Sequence, residues 1–221
     1  MTSIFADRRQ AAYPYKFEGS ILLHSYAGGT PADPKVADAF IKSKTADSDD
    51  LIREEIARAM TENIENGVPA DMEAAIEQVA NLRNLRTIPK DDGGLYVPGA
   101  HLFAAMKEAA CVRWPDRKWP PNRKWTKSWF PEHVFVTEDR LHFGIEIPTG
   151  TAQSFPKSRF GSSIQYTQYV ENAKLDFTVG TDFDFTDNDW ADLWLTGETL
   201  GLGSSRSQGY GRYDVTRWER V

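Results

Sequence analysis

Cysteine is nearly missing from this chain, and so is any long apolar run. Cys111 is the only thiol among 221 residues, which excludes an intrachain disulfide. No stretch approaches the roughly 20 apolar residues needed to cross a bilayer, and the opening MTSIFADRRQ has no apolar core of a secretory signal. A reducing cytoplasm, with no membrane partner, is the expected location. Histidine is sparse too: His24, His101, His133 and His142 show neither an i,i+4 metal spacing nor a Cys-His pattern, and nothing implies a metal or a cofactor. Positive charge is also short, with 26 Lys and Arg against 32 Asp and Glu, a net of −6. A polyanion cannot be held by the whole surface, so any nucleic-acid contact must come from a local basic patch.

The deficit is uneven along the chain. Between Asp47 and Asp92 acids outnumber bases, whereas between Lys107 and Lys127 the balance reverses. The acidic stretch carries two helical patterns. Ile52, Ile56, Ala59, Met60 and Ile64 follow a Ser48 cap, and Met72, Ala75, Ile76, Val79 and Leu82 follow Asp71. The pair reads as an insertion at about 40–92 whose charged side faces water.

Around it lies a strand-rich framework. Phe17, Ile21 and Leu23 alternate with polar residues from Tyr15 to Ser25, as on a strand with one buried face. Pro98 and Gly99 open a helix with Leu102, Phe103, Met106, Ala109 and Ala110 on its apolar stripe, and Cys111 falls at the end of that pattern as a small buried hydrophobe. Val134 to Ile147 reads as a hairpin around Thr137-Glu138-Asp139, and separate strands are expected near 164–169 and 174–185. Thr186 with Asp189 three residues on marks a capped helix carrying Trp190, Leu193 and Trp194, and a last strand runs from Tyr213 to Trp218. The order is that of an α+β, ferredoxin-like (RRM-like) sandwich in one domain, 1–221, with the acidic helical insertion and a basic aromatic loop at about 112–132.

Two segments are suited to polyanions. Gly201-Leu202-Gly203-Ser204-Ser205-Arg206-Ser207-Gln208-Gly209-Tyr210-Gly211-Arg212 can bring backbone N–H groups and arginine forks to a phosphate. It is neither a Walker loop nor a dinucleotide fingerprint. From Arg113 to Phe130 cations alternate with rings: Arg117, Lys118, Arg123, Lys124 and Lys127 with Trp119 and Trp125. In a single-strand binder, cations track phosphates while rings stack on bases. The other reading is that the indoles anchor a proline-rich loop to the core. Lys157 and Arg159 extend the basic track.

The loop from Leu200 to Arg212, together with Tyr96-Val97-Pro98-Gly99-Ala100-His101-Leu102 and the strand ending at His24 to Pro31, resembles the repeat-associated mysterious protein (RAMP) superfamily of CRISPR effector complexes. That resemblance implies binding of a guide-like (crRNA-like) single-stranded RNA in a ribonucleoprotein, with related RAMP subunits or copies of the chain as partners. It places nucleic-acid contacts at Gly203, Ser204, Arg206, Gly209, Gly211 and Arg212, beside Arg113 and the basic aromatic residues. Two alternatives stay open. One is a metal-independent crRNA-processing endoribonuclease with His24 or another histidine as its catalytic group, Asp33 being the candidate that the resemblance implies for target-RNA cleavage; the other is a non-catalytic assembly protein, from a mobile element, that no longer binds nucleic acid.

Overall fold

A computed structural model describes residues 13–33, 35, 49–66, 71–121, 125–154, 157–158, 161–162 and 164–221. It is a mixed α+β protein. In chain order the elements are β1 (Tyr15–Ala27), β2 (Thr30–Pro31), α1 (Asp49–Glu65), α2 (Met72–Asn84), β3 (Leu85–Thr87), β4 (Lys90–Asp91), β5 (Gly94–Pro98) and α3 (Gly99–Arg113). There follow α4 (Thr126–His133), β6 (Val134–Val136), β7 (Arg140–His142), β8 (Gly150–Ser154), β9 (Lys157–Ser158), β10 (Gly161–Ser162) and β11 (Gln165–Thr181). Last come α5 (Asp187–Leu200), a 3-10 turn at Arg206–Gln208, and β12 (Tyr213–Arg220). Contacts divide the chain into two compact units: Met1–Ala27, Ile88–Thr149 and Tyr169–Val221 in the first, Gly28–Thr87 and Gly150–Gln168 in the second.

In the first unit β12, β1, β11 and β6 stand side by side in that order, each antiparallel to its neighbour. Phe17, Ile21 and Leu23 of β1 and Leu175, Phe177 and Val179 of β11 are buried on one face, under α3 and α5. Helix α5 grips the sheet through Trp190, 4.9 Å from Phe17, and Trp194, 5.6 Å from Phe177. The other face, over β1, β11 and β12, is polar. There Ser20 donates to Asp176, Lys174 pairs with Asp176 at 3.0 Å, and Arg217 bridges Glu18 and Glu219.

The start of α5 is fixed by reciprocal hydrogen bonds. Asp189 N–H donates to Thr186 Oγ1 at 3.2 Å, and Thr186 N–H donates to the Asp189 carboxylate at 3.1 Å. Two orphan helix donors are thereby satisfied.

Two expectations need correction. The segment 134–147 is not a hairpin: β6 pairs with β11, whereas β7 pairs with β5 in a separate three-stranded sheet, β4-β5-β7. The connection is held against the start of α3, where Gly99 N–H donates to Asp139 O at 2.8 Å. Alternation fixes which side chains of a strand are buried, but not which strand it joins. Arg140 and His142 of β7 instead clasp Asp91 at 2.6 and 2.9 Å, and their hydrogen bonds, that of His142 above all, hold the Asp91 carboxyl at about 2. Likewise, the two strands expected between 164 and 185 are one, β11, which ends at Thr181. Asn172 takes φ 51°, yet the pairing with β1 keeps one register from Tyr15↔Thr181 to Ala27↔Tyr169. Asn tolerates that left-handed backbone better than most residues.

In the second unit α1 and α2 pack through Ala59, Ala75 and Val79, and Asn63 Nδ2 donates to Gln78 Oε1 at 3.0 Å. Strand β3 pairs with β2 and, in parallel, with Tyr166 and Thr167 of β11.

Replacing Thr186 by Ala removes one partner of the capping box. The expected cost is about 1 kcal/mol, read as a lower urea midpoint at unchanged slope.

Candidate nucleic-acid interface

The basic aromatic segment folds back on α5. Arg117 pairs with Asp189 at 2.5 Å and Arg113 with Asp192 at 2.8 Å. Burial pushes the Asp189 carboxyl up, but hydrogen bonds from Arg117 and Thr186 outweigh it and leave it below the ordinary range. The Arg117 guanidinium lies 4.4 Å from the Trp119 ring and 5.1 Å from that of Trp114.

Most of the indoles of this segment point inward. Trp119 stacks on Trp129 at 4.1 Å and 13°, and both are fully buried. Trp119 Nε1 donates to Thr126 Oγ1 at 2.9 Å, which donates onward to Trp114 O at 2.7 Å; Trp129 Nε1 donates to Pro120 O at 2.9 Å. Trp119 therefore has no ring face open to a base, and the anchoring reading holds for it. Trp125 is different, at 74% exposed. Lys127, two residues on, and Lys118, seven residues before, are exposed and carry no ion pair among the described residues. Arg123, Lys124 and Arg159 lie outside the described residues, and only the backbone of Lys157 is described, in β9.

The glycine-rich loop joins α5 to β12, and its shape is set by packing. A Cβ at Gly203, φ 83°, would sit 2.6 Å from the Tyr26 ring, and one at Gly211, φ 82°, would sit 2.0 Å from Leu202 O. Many of its N–H groups turn inward: Leu202 donates to Gly211 O, Gly211 to Ser25 O, Gln208 to Ser205 O and Gly209 to Arg206 O. Ser204 Oγ donates to Ala27 O at 3.2 Å. Around Gly209 there is open space. Both arginines have intramolecular partners. Arg212 donates to the carbonyls of Thr199 and Glu198, which closes the C-terminus of α5. Arg206 pairs with Glu108 of α3 at 2.8 Å and stays 35% exposed.

Helix α3 is what the two segments share. Its buried stripe is Leu102, Ala105, Met106, Ala109 and Ala110. Its outer side presents Ala104, Lys107, Glu108, Cys111 and Val112, each half-buried or exposed. Arg206 meets that side at Glu108; Arg113 ends the helix, and Lys127 and Trp125 line a groove with Cys111. Cys111 is thus half-exposed rather than a core residue. Burial pushes its thiol pKa up, although Lys107 and Lys127 pull the other way.

The catalytic candidates are tied into local structure. His24, on the polar side of β1, is exposed and shares a 2.9 Å contact between Nε2 and Asp214. Asp33, in the second unit, accepts from Lys35 N–H at 2.9 Å and from Arg58 at 2.6 Å. Sequence reasoning missed the acids that hold the arginines, Glu108, Asp189 and Asp192, and the pair Tyr169 and Tyr210 whose rings lie 6.2 Å apart. The spacing of Asp189 and Asp192 on one helix was visible, but nothing linear joins them to arginines more than 70 positions away. His101 at the start of α3 shares a 2.9 Å hydrogen bond between Nδ1 and the Tyr26 hydroxyl, and burial lowers its pKa.

No protein-family model and no curated protein matches the chain. Among solved structures, it is similar to a chain of the cryo-EM structure of the Type III-B Cmr-beta bound to cognate target RNA, with a TM-score of 0.47 and 9% identity. The likeness covers 98% of this chain and 65% of that one, so this chain spans less than two thirds of that chain's length. No helix among the described residues is long and apolar enough to cross a membrane.

Core and rim indoles separate by stability. Trp119→Ala is expected to cost about 3–5 kcal/mol, and Trp125→Ala to stay within about 0.5 kcal/mol of wild type, both read by denaturant unfolding. A depressed His101 pKa stabilises the folded state above the unfolded value of about 6.5, and that contribution is lost as pH falls through the folded value. His101→Gln should therefore flatten the decline in melting temperature between about pH 7 and pH 5.

Proposed function

We propose that this chain is an RNA-binding subunit of RAMP type that holds a guide-like single-stranded RNA, without cutting it, in a CRISPR-like ribonucleoprotein. The strand order β12-β1-β11-β6, with α3 between β1 and β6 and α5 between β11 and β12, supports a ferredoxin-like core of two split β-α-β units. One observation carries the functional reading: in a chain of net charge −6, Arg206 of the glycine loop and Lys107, Lys127 and Trp125 meet along the outer side of α3. Cations that track phosphates beside an open ring are what a single strand requires.

The contact set is narrower than the two full segments. Arg113 and Arg117 serve α5, Arg212 closes its C-terminus, and Trp119 is core. Gly203, Ser204, Gly209 and Gly211 give the loop its shape, and their part in binding is to present Arg206. A surface this small covers a few nucleotides, so further subunits, either copies or relatives, extend the track. Ile64, Met72 and Ile76 on the acidic helices are exposed, which suits the second unit to a protein partner.

Filter binding of a labelled single-stranded RNA across a salt series tests the reading. Wild type should bind with a clear salt dependence. A Lys107→Ala, Lys127→Ala, Arg206→Ala variant should keep its fold, because exposed ion pairs contribute at most about 1 kcal/mol. Its log–log salt slope should be shallower by about 0.7 for each phosphate that the variant no longer neutralises. Equal affinity and equal slope in the two proteins would remove the proposal.

A further inference from the structure

Trp125 is held rigidly in an exposed position. It is the N-cap residue of α4, and its carbonyl accepts the N–H groups of Ser128 at 3.1 Å and Trp129 at 3.0 Å. The next residue, Thr126, is buried and locked by its two hydrogen bonds to Trp119 and Trp114. The backbone on the C-terminal side of the indole is thus fixed, while the ring itself is 74% exposed. Next to it lies a groove of about 360 Å³ lined by Cys111, Pro115, Trp125, Thr126 and Lys127. That volume falls at the low end of the range of small-molecule sites, about 300–1,000 Å³.

The chemistry of the groove is one-sided. Among the described residues no carboxylate lines it, and Lys107 stands one helical turn before Cys111 on the outer side of α3. The Thr126 hydroxyl is already committed to Trp119 and Trp114. The described lining offers a flat aromatic face, apolar walls and the Lys127 ammonium, with that of Lys107 beside them. A nucleobase with its flanking phosphates matches all three: the ring stacks, and the phosphates meet lysine.

We infer that the groove beside Trp125 is a nucleobase pocket, in which one base of a single-stranded RNA, turned out of its strand, stacks on Trp125 while the neighbouring phosphates meet Lys107 and Lys127. The inference rests on the RNA-binding reading and adds to it a fixed place for one nucleotide. It also implies little preference among the bases, because stacking uses the π-face that all of them have.

Cys111 is the only thiol of the chain and lines the groove, so it reports occupancy directly. The test measures Cys111 modification by a small disulfide reagent, RNA affinity, and RNA-induced quenching of tryptophan fluorescence, using homopolymeric single-stranded RNA on the full chain. Saturating RNA should slow Cys111 modification severalfold and quench the Trp125 emission. Trp125→Ala should weaken binding by about 5- to 150-fold, the equivalent of one base stack. It should also abolish the quench, and Trp125→Phe should restore most of the affinity. If Trp125→Ala binds RNA as wild type does, or if saturating RNA leaves both Cys111 reactivity and fluorescence unchanged, the pocket is overturned while RNA binding stands. If wild type binds no RNA at low salt, the RNA-binding reading itself fails and the pocket with it.

Discussion

Trp119 lies between the Trp129 indole and the Arg117 guanidinium, and that sandwich decides what the rest of the basic segment is free to do. Offset aromatic pairs contribute about 0.5–1.5 kcal/mol beyond the area they bury, and a partly desolvated cation over an indole contributes on a similar scale. Phe183 and Phe185, which follow β11, close on Trp119 and Trp129 edge-on. The stack therefore ties α4 and the loop before it to the end of the sheet. With the stack in place, Arg117 is positioned over Asp189, and α5 is joined to the segment at the same point where its own cap forms.

The cations then divide by chemistry. Arg113, Arg117, Arg206, Arg212 and Arg217 each meet a carboxylate or a carbonyl of the same chain. Lys107, Lys118 and Lys127 carry no ion pair among the described residues. A planar fork with five donors suits fixed intramolecular geometry, whereas an ammonium on a flexible stem remains hydrated and available to a mobile phosphate. In this protein the arginines mostly organise the fold around α3 and α5. Those three lysines, unlike Lys90 and Lys174, are the groups left to act outward, and Arg206 stands between, since its partner Glu108 is itself partly open to water.

Much of the framework was legible in the sequence because its signals are local. The alternation of Phe17, Ile21 and Leu23 gave β1; the Thr186 and Asp189 pair gave the start of α5; the acidic helices appeared at Asp49–Glu65 and Met72–Asn84. The failures concern partners far away in sequence. The pairing of β7 with β5 rather than with β6 depends on how the Glu138 and Asp139 turn meets α3 and β11, where Glu138 accepts the Thr178 N–H at 2.8 Å. The candidate interface was half legible. Alternating cations and rings marked the segment, but a tryptophan that fills a core and one that stays exposed look alike until the Thr126 hydrogen bond to Trp119 fixes which one turns inward.

The glycine loop shows the same ambiguity in backbone form. Glycine allows close approach and a left-handed backbone, and both occur here, but the close neighbours are Tyr26 and Leu202 of the same chain. The reason lies at the end of α5. A helix that must stop and lead straight into β12 leaves carbonyls to be satisfied, and Gly201 N–H, Leu202 N–H and Arg212 bind within this turn. A tight loop that meets this demand spends the N–H groups of Gly201, Leu202, Gln208, Gly209 and Gly211 on its own chain. What it does instead is hold Arg206 against the middle of α3, five residues before the helix ends at Arg113. The loop and the basic segment thus act on one helix face from different distances along it, and the spacing between them is set by the rise of α3 and not by either segment's own sequence.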